Sequence, residues 1–245
     1  FQANGFNLRH DFPSISTHRS DDGPINHFDT GKGGIVLLGD SLGKNMEPAF
    51  LEVAKSENIS FSSWNQDGCP PLLGVNQISV QSGDNIKTCS SRLQKNRVTW
   101  AQERAPSQII IVGRYTLFVE GKRFQDENGA IEPGGTLGVR FETLEASGAS
   151  KSDGSVIRES LQQVILELEE YGHDVTLVYP LPEFGWSPPE YLYSTNLNWP
   201  PNQELSVSLD SYQLRNQETI SILDSLRSER LVRFSPVRVL CDETA

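Results

Sequence analysis

The sequence predicts an α/β protein, a three-layer α/β/α sandwich built around a central parallel sheet. Short apolar runs rich in β-branched residues alternate along the chain with longer amphipathic segments, which is typical of strands alternating with helices. Strands connected in this way form a parallel sheet covered on both faces. The 245 residues are enough for one such domain. We expect residues 1–32 to form an irregular lead-in or linker and residues 33–245 to form the domain.

The first half of the domain carries three predicted strands and two predicted helices. The strands are short apolar runs bounded by glycine or polar residues, and the helices place their apolar residues on one face. Pro48 is expected in the first turn of its helix, where proline is tolerated. In chain order these elements are strand 34–38, helix 45–56, strand 59–64, helix 85–103 and strand 108–113.

The second half continues the alternation after two polar stretches. Glycine-rich and charged residues predict a hairpin or excursion and then a flexible connection. A strongly amphipathic helix, a strand, a long loop rich in proline and aromatic residues, a further helix and a last short strand follow. In chain order these segments are 121–135, 147–154, 156–170, 174–180, 181–203, 212–229 and 231–234.

Composition excludes several classes of partner. The chain carries 32 acidic and 21 basic residues, a net charge of −11, which argues against nucleic acid or an anionic membrane surface. The cysteines lack the spacing of a metal site and the histidines do not cluster with them, so we predict no metal and no cofactor. No apolar stretch approaches the length that spans a bilayer.

Two of the three cysteines, Cys69 and Cys89, flank a polar loop. A disulfide between them would staple a loop that buries little by itself, and it would imply an oxidising compartment. The alternative is two unrelated buried thiols. Cys241 is then left over, and an odd cysteine in an exported domain suggests a missing partner.

The segment Gly39-Asp40-Ser41 ends the first predicted strand just before a helix. In open α/β folds, ligand sites lie at the carboxyl ends of the strands, and a helix N-terminus favours a developing anion. Ser41 is therefore a candidate nucleophile, although Asp40 and Ser41 could simply cap the helix. Loops at 65–69, at 113–116 and from 180 onward are expected to converge on the same edge of the sheet.

Several segments together resemble the SGNH (GDSL-like) hydrolase superfamily, and in particular the periplasmic SGNH domain fused to bacterial integral-membrane acyltransferases (acyltransferase family three). They are Gly39-Asp40-Ser41, Met46-Glu47-Pro48-Ala49-Phe50, Asp67-Gly68-Cys69-Pro70-Pro71-Leu72, Gly113-Arg114-Tyr115 and Leu240-Cys241-Asp242. The resemblance spans nearly the whole chain. It implies a flavodoxin-like, SGNH-hydrolase fold.

The resemblance also implies a function. The chain would be the extracytoplasmic domain of an O-acyltransferase, in the periplasm and attached to an inner-membrane protein. A membrane acyltransferase domain would deliver the acyl donor, usually acetyl. The SGNH domain would pass the acyl group through an acyl-serine to a hydroxyl of a surface glycan, such as lipopolysaccharide O-antigen. Two alternatives stay open: a free-standing SGNH carbohydrate esterase and a non-catalytic glycan-binding relative.

Site residues follow by matching motifs. Ser41 matches the nucleophile, its own N–H matches one oxyanion donor, and Asp40 supports the site. Gly68 is the candidate for the second oxyanion donor. The third motif of the superfamily carries an asparagine where this chain has Tyr115. The third donor could then be Arg114 or the Tyr115 hydroxyl, or Tyr115 could be a packing residue.

The general base of the superfamily sits in an Asp-x-x-His motif, which this sequence lacks. A serine without a base is a poor nucleophile. The motif could lie outside this sequence, the protein could be a non-catalytic relative, or another histidine could substitute. His10, His18 and His27 are expected to be solvated loop residues. His173 is expected to be a surface histidine at the sheet edge opposite Ser41.

The proline-rich loop contains Trp186 and Tyr191. Aromatic faces suit the C–H faces of pyranose rings, so both are candidates for binding a sugar. Packing of the loop against the sheet is the alternative.

Overall fold

A computed structural model describes residues 23–125, 131–132, 137–144, 153–184 and 207–241. Its strands are β1 (Ile25–Phe28), β2 (Gly34–Gly39), β3 (Ser60–Asn65), β4 (Val75–Ser79), β5 (Gln108–Val112), β6 (Val139–Thr143), β7 (Asp174–Val178) and β8 (Leu231–Phe234). Its helices are α1 (Ser41–Glu57), α2 (Ser91–Gln102), α3 (Tyr115–Glu120), α4 (Asp153–Glu170), α5 (Leu209–Ser225) and α6 (Val237–Leu240), with a 3₁₀ turn at Lys87–Cys89.

The central sheet has six strands in the order β1-β3-β2-β5-β7-β8. All neighbouring pairs are parallel except β1 with β3, which are antiparallel. Helices pack on both faces, so the predicted α/β class with a largely parallel sheet is confirmed. The strands β4 and β6 form a separate antiparallel pair outside this sheet.

The connections from β2 and β3 leave on opposite faces of the sheet. Helix α1 joins β2 to β3 on one face, whereas α2 joins β3 to β5 on the other. The neighbouring strands β2 and β5 therefore form a topological switch point, and a crevice opens at their carboxyl ends. In open α/β sheets this is where ligands bind.

Two apolar layers hold the sandwich together. The larger layer lies between the sheet and helices α2 to α5, with fully buried residues such as Leu38, Ile111 and Leu161. The smaller layer lies under α1, where Leu37 and Phe61 are fully buried. Odd and even residues of β2 thus face opposite layers, as the pleat requires.

The structure differs from the predictions in the region before the first helix. Residues 25–28 were expected in an irregular lead-in, but they form β1, which pairs with the edge of β3. Helix α1 begins at Ser41 rather than at residue 45. Pro48 therefore lies in the interior of the helix rather than in its first turn. Because proline has no N–H, the Lys44 carbonyl receives no helical hydrogen bond from it.

Several short elements were not predicted. The second helix begins at Ser91 instead of residue 85, after a 3₁₀ turn, and the Ser90 side chain caps it. The pair β4–β6 and the short helices α3 and α6 are also additions. Gln125 and Ile131 form an antiparallel bridge, in keeping with the hairpin expected at 121–135. Most of the predicted connection 147–154 and of the loop 181–203 lies outside the described residues.

Within the parts of the chain that the structure describes, none of the helices combines the length and the apolar character needed to cross a membrane.

Candidate active site at the switch point

Asp40 ties together the two strands of the switch point. It is the N-cap of α1, and its Oδ1 accepts a 2.9 Å hydrogen bond from the Leu42 N–H. Its Oδ2 accepts a 2.7 Å hydrogen bond from the N–H of Arg114, just after β5. The side chain is 1% exposed. Burial raises the pKa of Asp40, while the two backbone N–H groups and the Arg97 guanidinium oppose that rise.

Ser41 is the first residue of α1, and it is exposed. A helix leaves its first N–H groups without intrahelical partners, and these groups point out of its N-terminus. Together with the helix dipole they favour negative charge there. Ser41 is therefore an exposed residue at a helix terminus that favours negative charge.

The loop that carries Gly68 is bound to the start of α1. The Gln66 N–H donates to the Gly39 carbonyl at 2.9 Å, and Lys44 Nζ lies 2.9 Å from Asp67 Oδ2. The Cys69 N–H closes the turn onto the Gln66 carbonyl at 3.1 Å. Gly68 is exposed within this turn and has a φ of +64°, a backbone conformation that favours glycine. The structure thus brings Gly68 to the same edge of the sheet as Ser41.

A disulfide joins Cys69 to Cys89, as predicted. Both sulfurs are buried, and the bridge anchors the residue that follows Gly68. Gln94 of α2 packs against it and donates a 2.6 Å hydrogen bond to the Pro70 carbonyl. Cys241 is a half-buried free thiol.

Arg114 lies at this edge, but its donors bind carboxylates. Its N–H binds Asp40, its Nε donates to Glu183 at 2.6 Å, and its Nη1 donates to Glu132 at 2.7 Å. Burial lowers the pKa of Arg114, but the hydrogen bonds and charges of Glu132 and Glu183 outweigh this, so the pKa is raised. Arg215 also donates to Glu183, at 2.8 Å. The guanidinium of Arg114 thus serves an ion-pair network at the sheet edge.

Tyr115 is 1% exposed and belongs to the larger apolar layer. Its ring lies against Gly113, because a Cβ added at Gly113 would lie 2.9 Å from Tyr115 Cζ. Within the described residues, its hydroxyl has no hydrogen-bond partner. Burial, followed by the nearby Asp40 charge, raises its pKa well above 10.0. This environment is that of a packing residue rather than of an open rim.

The two histidines in the described residues differ from expectation. His27, expected in a solvated loop, lies in β1, where its ring stacks on Phe61 and its Nε2 lies 2.8 Å from Ser63 Oγ. His173, expected at the surface, is fully buried. Its Nδ1 accepts a hydrogen bond from the Ser107 N–H at 3.2 Å, before β5, which places it at the amino edge of the sheet as predicted. His10 and His18 lie outside the described residues.

A buried polar network under α1 was missed. Glu47, 3% exposed, accepts 2.7 Å hydrogen bonds from both Ser63 Oγ and Asn65 Nδ2. The Asn65 amide also lies against α1, since a Cβ added at Gly43 would lie 2.3 Å from Asn65 Oδ1. Ser63 and Asn65 are two positions apart and so share a strand face. The two polar residues that follow Phe61 on one face of β3 were the available signal.

Two further predictions concern sugar contact and metal binding. Trp186 and Tyr191 lie outside the described residues. Within the described ranges, no cluster of three histidine, cysteine or acidic side chains has the arrangement of a metal site.

A parallel sheet of this order, with an exposed serine and its aspartate cap at the switch point, defines the class of open α/β domains to which SGNH-type domains belong. The chain belongs to the family described as the SGNH domain (fused to AT3 domains), whose family model matches residues 12–245. This membership confirms the resemblance that the motifs indicated.

Among solved structures, the chain is similar to the periplasmic domain of the lipopolysaccharide acetyltransferase of Salmonella ser. Paratyphi A. The two are 14% identical with a TM-score of 0.53, and the alignment covers 88% of this chain and 70% of that one. Identity at this level shows a shared fold. No curated protein matches the chain.

Proposed function

We propose that this chain is the extracytoplasmic domain of an O-acyltransferase and that Ser41 carries the acyl group to a hydroxyl of a bacterial surface glycan. The observation that carries the proposal is the exposed Ser41 at the start of α1, with the Gly68 turn bound to that end of the helix. Membership of a family whose SGNH domain is fused to AT3 domains supports an acyl-transfer role. The acetyltransferase of similar fold acts on lipopolysaccharide, which suggests the acceptor class.

The first half of the reaction forms an acyl-serine. Ser41 Oγ attacks the carbonyl carbon of the acyl donor while its proton passes to a general base. The carbonyl oxygen becomes an oxyanion, which the N–H groups of Ser41 and Gly68 would stabilise. The tetrahedral intermediate then collapses, the donor group leaves with a proton, and the acyl group stays on Ser41 as an ester.

The second half transfers the acyl group. A glycan hydroxyl gives its proton to the base and attacks the ester carbonyl, the same donors stabilise the second oxyanion, and Ser41 leaves with a proton. The family resemblance assigns the base to an Asp-x-x-His histidine, a motif that the 245 residues do not contain. In a parallel sheet of this order, the base must reach the carboxyl edge where Ser41 lies.

The proposed partners follow from this chemistry. A membrane acyltransferase domain would supply the acyl donor, and the domain would lie in the periplasm, attached to an inner-membrane protein. The Cys69–Cys89 disulfide supports an oxidising compartment. The acceptor is a neutral or polar glycan.

The proposal is tested by Ser41→Ala in the full-length protein, expressed in its host lacking the native copy. We expect alkali-releasable acetate on the surface polysaccharide to disappear. Ser56→Ala is the matched control, because Ser56 is an exposed serine at the other end of α1 whose Oγ binds the Val53 carbonyl. It should leave O-acetylation unchanged. Both purified proteins should melt at the same temperature as the wild type.

The outcomes separate the candidate functions. Wild-type O-acetylation by a folded Ser41→Ala protein would remove the nucleophile assignment. Ser41-dependent hydrolysis of an activated acetyl ester without any glycan O-acetylation would favour the carbohydrate esterase, in which water replaces the sugar hydroxyl. An acetyl group on the Ser41 peptide after rapid quenching would support the covalent intermediate.

A further inference from the structure

We propose that Arg97 is a positioning residue that sets the spacing between the two oxyanion donors, Ser41 and Gly68. This role rests on the proposed function, and Arg97 lies outside the motifs that contain Ser41 and Gly68. Arg97 lies on α2, on the face of the sheet opposite α1. From that face its side chain extends to the carboxyl end of β2, at the switch point.

Arg97 joins the two turns that carry the donors. Its Nη2 donates to the Gly39 carbonyl at 2.6 Å and to the Trp64 carbonyl at 3.0 Å. Its Nη1 donates to the Cys69 carbonyl at 3.0 Å. Gly39 lies two residues before Ser41 and Cys69 directly follows Gly68. One planar group therefore holds the backbone on both sides of the proposed oxyanion.

A neighbour on the same helix, Gln94, assists Arg97, and we call these two side chains the clamp. Gln94, three residues before Arg97, accepts a 3.1 Å hydrogen bond from Arg97 Nη1 through its Oε1. Its Nε2 donates to the Pro70 carbonyl at 2.6 Å. Both side chains are at most 1% exposed. Helix α2 thus holds the Gly68 loop by two successive carbonyls, those of Cys69 and Pro70.

A buried cation is costly unless charge and hydrogen bonds compensate it. Burial lowers the pKa of Arg97 to about 10, while the nearby Asp40 carboxylate and, after it, Tyr115 oppose that shift. Arg97 therefore stays charged at neutral pH. Asp40 caps the helix that begins at Ser41, so the carboxylate whose charge opposes the pKa shift of Arg97 also fixes the start of that helix.

Arginine is required here by geometry. The rigid guanidinium fork places its two Nη atoms on separate carbonyls, whereas a lysine ammonium is a single point charge on a flexible stem. Arg97→Lys preserves the charge beside Asp40 but cannot hold both turns at once. Oxyanion stabilisation depends on donors fixed at their distance before the charge develops.

The test compares full-length wild type and Arg97→Lys in the hydrolysis of 4-nitrophenyl acetate. We expect kcat to fall about tenfold to a hundredfold, with KM within about twofold of wild type, because only the transition state needs both donors. Phenylboronic acid forms a tetrahedral serine adduct that uses the same donors, so its inhibition constant should rise in parallel with the loss of kcat. A purely structural role would not produce that parallel.

Two more variants make the experiment decisive. Arg104→Met is the matched control, because Arg104 lies just past the end of α2, stacked over Trp100, and should keep wild-type kcat. Gln94→Leu should give a smaller loss of kcat with the same unchanged KM, and it decides the question if Arg97→Lys does not fold.

The proposal is overturned if folded Arg97→Lys, or Gln94→Leu in its place, keeps wild-type kcat and boronate affinity while Ser41→Ala is inactive. It is also overturned if kcat falls but boronate affinity does not. If Ser41→Ala itself retains turnover, the proposed function fails, and the positioning role fails with it.

Discussion

The Asp40 carboxylate accepts a 2.7 Å hydrogen bond from the backbone N–H of Arg114, a residue 74 positions further along the chain. Its other oxygen caps α1. The Asp40 side chain therefore ties the start of α1, the helix that begins at Ser41, to the carboxyl end of β5. Because β2 and β5 are the strands of the switch point, this bond joins the two chain segments that follow them at the candidate site.

Asp40→Ala should destabilise the protein more than the loss of an ordinary helix cap. It removes the acceptor of two backbone N–H groups and the carboxylate near Arg97. We expect the free energy of unfolding in denaturant to fall by about 2 kcal/mol. Ser90→Ala is the control, since Ser90 caps α2 through one hydrogen bond, and it should cost about half as much. Equal losses would show that the Arg114 bond contributes nothing.

Gly43→Ala should destabilise the protein, although alanine in a helix normally stabilises relative to glycine. The new Cβ would lie 2.3 Å from Asn65 Oδ1, and that amide is held by Glu47 at 2.7 Å. We expect a loss of about 1–2 kcal/mol in the free energy of unfolding. In an Asn65→Ala background the same change should no longer destabilise. A double-mutant cycle without coupling would contradict the contact.

Removal of the disulfide should weaken the fold substantially. The bridge closes a loop with a sequence separation of 20, so Cys69→Ser with Cys89→Ser should lower the free energy of unfolding by about 3 kcal/mol. Cys241→Ser, which changes the free thiol, should stay within about 0.5 kcal/mol of wild type. Two free thiols at positions 69 and 89 in the oxidised native protein would refute the bridge.

His173 should make the protein less stable in mild acid. Burial lowers the pKa of His173 from 6.5. The unfolded chain therefore binds a proton more readily than the native protein, and stability that is present above pH 6.5 is lost as the pH falls below it. In His173→Gln this part of the pH dependence should vanish. Parallel curves for the two proteins, from denaturation at a series of pH values, would exclude a contribution from His173.

The parallel strands were predictable because burial on both faces leaves continuous apolar runs, as in β2 and β5. Strand β1 was not, since Ile25-Asn26-His27-Phe28 mixes polar and apolar residues and lies at an edge. Strand β4 has the same mixed character, and its partner β6 lies more than fifty residues away along the chain. Strands stabilised by distant pairing leave little trace in local sequence.

The start of α1 and the clamp were missed for a different reason. Pro48 suggested a later start for the helix, but the Asp40 cap and packing on β3 outweigh the lost backbone hydrogen bond. Arg97 was invisible because it binds the carbonyls of Gly39, Trp64 and Cys69, and backbone carbonyls carry no sequence signal. Ser41 was a candidate from its place between a strand and a helix as well as from its motif, whereas Gly68 was a candidate only through the family motif.

The short antiparallel strand β1 covers the outer edge of β3 with hydrogen bonds. A recombinant protein trimmed to begin at residue 33 would leave that edge free to pair with the edge of another molecule, a common route to aggregation. It would also lose His27, which stacks on Phe61 at 4.7 Å. Expression work on this domain should therefore retain the residues from 23 onward, and poor solubility of shorter versions would have a simple physical origin.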